Sequence, residues 1–276
     1  MKNNDYRPLV PVNPEGLDAV AESLLNGTNT DRGSESVPAI QTSERINPKE
    51  YIQVGMNGLH GKPVVISCYE IQGSNSKDYA SAHRFVLSKG LYAPTPLIFT
   101  AHLKNVIEAQ KRNKQLRYSD GTLLPQSEVE EIYKHLTTNY KDVFGGSNPG
   151  AWSWLNAKFI DGTGDNGFDL ETITGMKPDG TFITKKVPLE NKIWEDCFVD
   201  INFNQQGLAN AKSVNQSYSQ GNNIKFYHPR KNTVARFGAN SDGAFLGCNW
   251  DPTYSDSSLG VFVCAEGAEP KNGGSS

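Results

Sequence analysis

Three carboxylates, Asp161, Asp165 and Asp169, stand four residues apart around the glycine-rich stretch Gly162-Thr163-Gly164-Asp165-Asn166-Gly167. Carboxylates spaced along such a loop can converge on a hard cation as calcium ligands do. Counted from Asp161, however, the sixth position is Asn166 rather than Gly and the twelfth is Thr172 rather than Glu, so this is no EF-hand. Asp, Asn and Gly also dominate ordinary turns, and a solvated turn is the reading adopted, with a structural cation site as the alternative. The same stretch formally matches GxGxxG after a short strand at 157–160. A pyrophosphate needs a following helix N-terminus, whereas residues 168–175 have no helical stripe and the three carboxylates would repel it. The histidines (His60, His83, His102, His135, His228) form no HExxH and no close pair, and GxSxG is absent. The cysteines Cys68, Cys197, Cys248 and Cys264 lie far apart without a CxxC; they read as buried thiols, with a Cys248–Cys264 bridge as the alternative. No catalytic residue, metal ligand or cofactor is assigned.

The informative residues lie later, between Val234 and Phe262. If 243–249 is extended, Ala244, Leu246 and Cys248 share one face and suit a core, while Gly243, Phe245, Gly247 and Asn249 share the other. A solvent face would normally carry Lys, Glu and Thr. This one, continued through Trp250, Asp251, Tyr254 and Asp256, mixes glycine, aromatic, amide and acid on a regular frame of small residues, as a recognition surface does. Phe245, Trp250 and Tyr254 are expected to be its solvent-exposed aromatic anchors. An irregular, partly buried loop is the competing reading.

The elements that must hold this segment follow from the rest of the chain. Residues 1–50 carry scattered prolines and a polar run at 26–34, and read as an N-terminal arm. The β-branched run 64–71 reads as a buried strand. One amphipathic helix is expected after Thr100 as N-cap, along Leu103, Val106, Ile107 and Gln110. A second opens with Ser127 and Glu130 as a capping box and runs along Val129, Ile132, Tyr133, Leu136 and Tyr140 to Gly145-Gly146. Beyond Gly150, aromatics are dispersed among Gly, Asn, Asp and Ser, which suits short strands between long loops. The expectation is an α+β domain over 51–265 and a flexible tail over 266–276.

With 27 basic against 30 acidic residues and net charge −3, the chain lacks the footprint of a nucleic-acid partner. No window approaches the ~20 apolar residues of a membrane span, and Met1-Lys2-Asn3-Asn4-Asp5 lacks the apolar stretch of a signal peptide. The chain reads as soluble, with export and surface display left open.

The segment at 235–262 resembles the variable region of diversity-generating retroelement variable proteins, most nearly of the archaeal type. The frame that carries the resemblance is Ala235-Arg236-Phe237, Ala239-Asn240-Ser241-Asp242, Leu246, Cys248, Pro252, Ser255 and Ser257-Ser258-Leu259-Gly260-Val261-Phe262. In that family a reverse transcriptase replaces template adenines, so asparagine codons become sites of variation. Gly238, Gly243, Phe245, Gly247, Asn249, Asp251, Tyr254 and Asp256 can all be reached from an asparagine codon; Trp250, whose codon ends in G, needs a different template codon. The resemblance implies a C-type lectin fold, with two helices, small twisted antiparallel sheets and long ordered loops. It implies binding rather than catalysis, the ligand being a macromolecule or cell-surface component met by Gly238, Gly243, Phe245, Gly247, Asn249, Trp250, Asp251, Tyr254 and Asp256. No Glu-Pro-Asn sugar motif accompanies it. The alternatives are an enzyme of the formylglycine-generating type on a similar scaffold and a virion or surface structural protein.

Overall fold

The computed structural model describes residues 47–138, 150–240 and 242–266. The expected arm, apart from 47–50, and the tail beyond Glu266 lie outside the described residues. β1 (Tyr51–Asn57) and β2 (Pro63–Ser67) form a hairpin, and β10 (Cys264–Glu266) adds to the free edge of β2, giving an antiparallel sheet of order β1-β2-β10. Three helices follow the hairpin: α1 (Tyr79–Ser88), α2 (Pro96–Arg112) and α3 (Gln126–Thr137). The second half supplies β3 (Trp152–Asp161), β4 (Phe168–Met176), β5 (Phe182–Pro188), β6 (Cys197–Asp200), β7 (Asn223–Tyr227), β8 (Thr233–Asn240) and β9 (Gly243–Trp250). They make one 7-stranded sheet of order β5-β4-β3-β8-β9-β7-β6, antiparallel except where β7 runs parallel to β9.

This corrects the expected C-type lectin arrangement of two helices with small antiparallel sheets. The described residues hold three helices and one wide mixed sheet beside a small one, and the fold is mostly β. The omitted helix, α1, carries a stripe of Tyr79, Ala82, His83 and Val86, too weakly apolar to stand out, but it is capped by Asp78, whose Oδ1 accepts the Ser81 N–H at 2.7 Å. α2 begins a turn earlier than expected, with Pro96 at its first position and Thr95 Oγ1 accepting the Ile98 N–H; Thr100 lies inside it and donates to the Pro96 carbonyl at 2.8 Å. α3 starts at Gln126 without a side-chain cap, Glu130 pairing instead with Lys134, and the expected stop at Gly145-Gly146 falls outside the described residues. No helix among the described residues is long and apolar enough to cross a membrane.

The wide sheet divides the interior. On one face, Leu155, Ala157, Phe159, Phe226, Phe237 and Leu246 meet α2 and α3 in the main core; Phe99 of α2 stacks 4.5 Å from Phe237, and Phe262 lies 5.3 Å from Phe99. On the other face a smaller cluster joins Trp154, Ile173 and Val234 to Ala82 and Val86 of α1 and to Leu259, Val261 and Val263. The segment before β10 therefore threads between clusters, alternate residues entering each. Buried serines secure it: Ser74, Ser153 and Ser67 hydroxyls accept the N–H groups of Val261, Phe262 and Val263, each at 3.0 Å. Such bonds satisfy backbone donors that a sheet neighbour would otherwise have to meet.

Candidate functional site

The α1 cluster covers only part of the outer face of the wide sheet. Paired residues on neighbouring strands share a face, so register defines two rows across this outer face, the second of which starts at Trp154 within the α1 cluster. One runs Trp152, Gly238, Phe245, Lys225, Phe198; the next runs Trp154, Arg236, Gly247, Tyr227. The first row is aromatic save for a glycine and a lysine, and Lys225 Nζ lies 4.9 Å from the Phe198 ring centre. In the second row the glycine sits between a cation and a phenol.

Each glycine opens a gap that a neighbouring ring fills. Phe245 lies over Gly238, where a Cβ would strike its ring, and meets Trp152 and Tyr227 edge-on at 5.7 and 5.9 Å. Trp250, the last residue of β9, folds back so that its Nε1 lies 2.4 Å from where a Cβ on Gly247 would be. Gly243 differs: its φ of +103° and the Tyr218 ring above it both resist a side chain. Within β9, Ala244, Leu246 and Cys248 are buried in the main core, the parity expected for them.

At the centre is Arg236, with 1% of its surface exposed. Its Cζ lies 3.2 Å from the Trp250 ring centre, 4.3 Å from Trp152, 5.4 Å from Phe245 and 5.6 Å from Tyr254. Cation–π attraction supports a guanidinium in such surroundings, yet Nε, Nη1 and Trp250 Nε1 are buried with no hydrogen-bond acceptor among the described residues. Burial pulls the Arg236 pKa down to about 10, opposed by the Tyr254 hydroxyl and the Asp256 carboxylate.

The rim is a short polar loop. Asp251 Oδ1 accepts from both the N–H and the hydroxyl of Thr253 at 2.8 Å, and Asp256 Oδ1 accepts the Ser258 N–H at 2.8 Å and its hydroxyl; these bonds hold both carboxyls below their ordinary pKa. Tyr254, 36% exposed, packs 5.2 Å from Trp250 and reaches Asp256 Oδ2 at 3.5 Å. Of the three expected anchors, then, Tyr254 is exposed, Trp250 is half-buried, and Phe245, expected in solvent, is instead buried with 7% exposed because it fills the gap over Gly238; Asn249 is half-buried. Arg236, part of the frame of the 235–262 segment in the sequence, is thus the hub of the patch. Its ring of partners is brought together by the pairing of β8 with β3 and β9, and the local signal is a charged residue at an otherwise apolar strand position.

The other sequence candidates do not join this patch. Asp161 pairs with Lys231 at 2.5 Å, Asp165 accepts from Trp194 Nε1 at 2.7 Å, and Asp169 accepts the N–H groups of Thr163 and Gly164, so each carboxylate has its own local partner. The GxGxxG stretch is the connection between β3 and β4, strand to strand through one 3-10 turn at Asp165–Gly167, with no α-helix to face a phosphate. Cys248 and Cys264 are buried free thiols whose pKa values burial raises, which disfavours the reactive thiolate. Comparison of the chain with protein-family models, curated proteins and solved structures gives no match.

Proposed function

We propose that the chain is a ligand-binding protein that meets a macromolecular or cell-surface partner with the outer face of β8 and β9, closed over by its own rings, and the exposed loop at 250–256. We further propose that this segment varies among copies in the manner of a diversity-generating retroelement. The observation that carries the reading is the separation of neighbours along β9. Ala244, Leu246 and Cys248 are spent in the core, while Gly238, Phe245, Gly247, Trp250, Tyr254 and Asp256 are linked by contact into one patch around Arg236. Substituting the second set reshapes a single surface; substituting the first opens cavities or buries polar groups, at ~1–3 kcal/mol for an unpartnered one. Gly243 is the exception, since its backbone favours glycine.

The gene tests this reading. Its locus is expected to hold a reverse transcriptase gene and a near-copy of the DNA encoding residues 235–262, differing almost only where the copy has adenine. A locus without such a copy, or with differences spread equally over all four bases, would remove the diversification reading.

A further inference from the structure

Resting on the reading of this patch as a ligand-binding face, we infer that its ligand supplies a carboxylate to Arg236 and that Trp250 is the movable lid over that cation. The polar groups left over in the patch are all donors. Arg236 Nε and Nη1 and Trp250 Nε1 are buried without acceptors among the described residues. A buried guanidinium is costly unless its charge and its N–H groups are met. Here the Tyr254 hydroxyl meets part of the guanidinium by a hydrogen bond and the Asp256 carboxylate acts on it by charge while accepting two bonds from Ser258, which leaves Nε and Nη1 unmet among the described residues. The absent partner is thus an acceptor, and an anion would also offset the charge.

Shape and charge distinguish among anions. Trp152 approaches Arg236 from β3 on one side of β8, and Trp250 approaches from β9 on the other. A flat group that lies in the plane of the guanidinium fits between such rings, and the planar carboxylate is the natural partner of that fork. A phosphate is tetrahedral and brings more charge. It would also approach a rim where Asp251 and Asp256 are both held ionised by their own hydrogen bonds.

Entry requires that something move, and Trp250 is the side chain free to do so. It ends its strand, is half-buried, covers a residue that has no side chain, is held by packing on the edge of the α1 cluster and on Tyr254 rather than by a hydrogen bond, and its Nε1 is without an acceptor among the described residues. By contrast, Trp152 is tied by its Nε1 to the Ala239 carbonyl at 3.2 Å. Swinging Trp250 off Gly247 uncovers Arg236 while leaving β8 and β9 paired. In the bound state Arg236 exchanges one ring contact for charge-assisted bonds to the ligand.

The full chain, titrated by NMR, tests this with benzoate, phenyl phosphate and benzyl alcohol, which share a ring and differ in the polar group. The reporters are the Arg236 Nε–Hε and Trp250 Nε1–Hε1 resonances. Benzoate is expected to shift both saturably, benzyl alcohol to shift neither, and phenyl phosphate to bind more weakly than benzoate. Arg236→Gln should weaken benzoate about tenfold or more, the loss of one charge-assisted partnership. Trp250→Ala, which removes the lid and keeps the cation, should tighten it; this variant serves where Arg236→Gln fails to fold. Equal shifts with benzyl alcohol, tighter binding of phenyl phosphate, or no saturable shift in either the wild type or Trp250→Ala would each overturn the inference. Should benzoate fail while the adenine-biased copy is present at the locus, the recognition face stands and the carboxylate is removed from it.

Discussion

The two faces of the β8–β9 pair are built from the same two strands and have opposite demands. On the inner face Ala235, Phe237, Ala239, Ala244, Leu246 and Cys248 are all buried in the main core against α2 and α3, and none brings a hydrogen-bonding side chain beyond a thiol. On the outer face Arg236, Gly238, Phe245 and Gly247 are also screened from water, yet largely by rings, and Nε and Nη1 of the cation lack acceptors among the described residues. Burial alone therefore does not separate the two faces. What differs is how the cover is made: interdigitated helices inside, and outside mainly side chains from the same sheet and a loop whose Pro252 and Asp256 carbonyls tie it to the start of α1.

The sharpest way to break this comparison is to truncate the inner face. Leu246→Ala or Phe262→Ala should cost ~2–5 kcal/mol, read from urea unfolding midpoints, since each leaves a cavity where packing is complete. Losses under ~1 kcal/mol would show that the main core is not what holds these strands.

A comparably deep effect is expected from pH. His83 and His102 are fully buried and burial pulls each pKa from 6.5 to about 3. The unfolded chain therefore takes up protons that the native state refuses between those values. Their contribution to stability is complete above pH 6.5 and is lost as pH falls toward 3. His102→Leu should flatten the unfolding midpoint across that window; an unchanged pH slope would contradict the burial of this imidazole.

Smaller effects sharpen the description of the outer face. Phe245→Ala should destabilise by ~1–3 kcal/mol, because the ring fills the gap over Gly238. Tyr254→Ala should cost under ~1 kcal/mol, as a rim residue in contact with solvent. Equal thermal shifts for the two would erase the distinction between the floor of the patch and its edge.

Part of this was readable from the residues in order. The alternation at 243–249 gives the parity of β9, and the apolar stripe Leu103, Val106, Ile107 marks α2, because both signals are local and periodic. α1 escaped because half of its buried stripe is alanine and histidine. The wide sheet escaped because its order interleaves strands from all over the second half and its β5 edge, Phe182–Pro188, is half-exposed and lysine-bearing, so it does not read as a strand. The environment of Arg236 is the same kind of omission: register places Trp152 and Trp250 beside it, and register is a property of paired strands rather than of any one of them.

The separation of packing from display is tested most directly by randomising each face and asking which libraries still fold. One displayed library varies Gly238, Phe245, Gly247, Asn249, Asp251, Tyr254 and Asp256 with codons of the NNY type; the other varies Ala235, Phe237, Ala239, Ala244, Leu246 and Cys248 in the same way. Protease resistance of each pool measures the folded fraction. The outer library is expected to keep a folded fraction far above that of the inner one, in which most members should be cleaved. Equal survival of the two pools, or greater loss from the outer, would contradict the account.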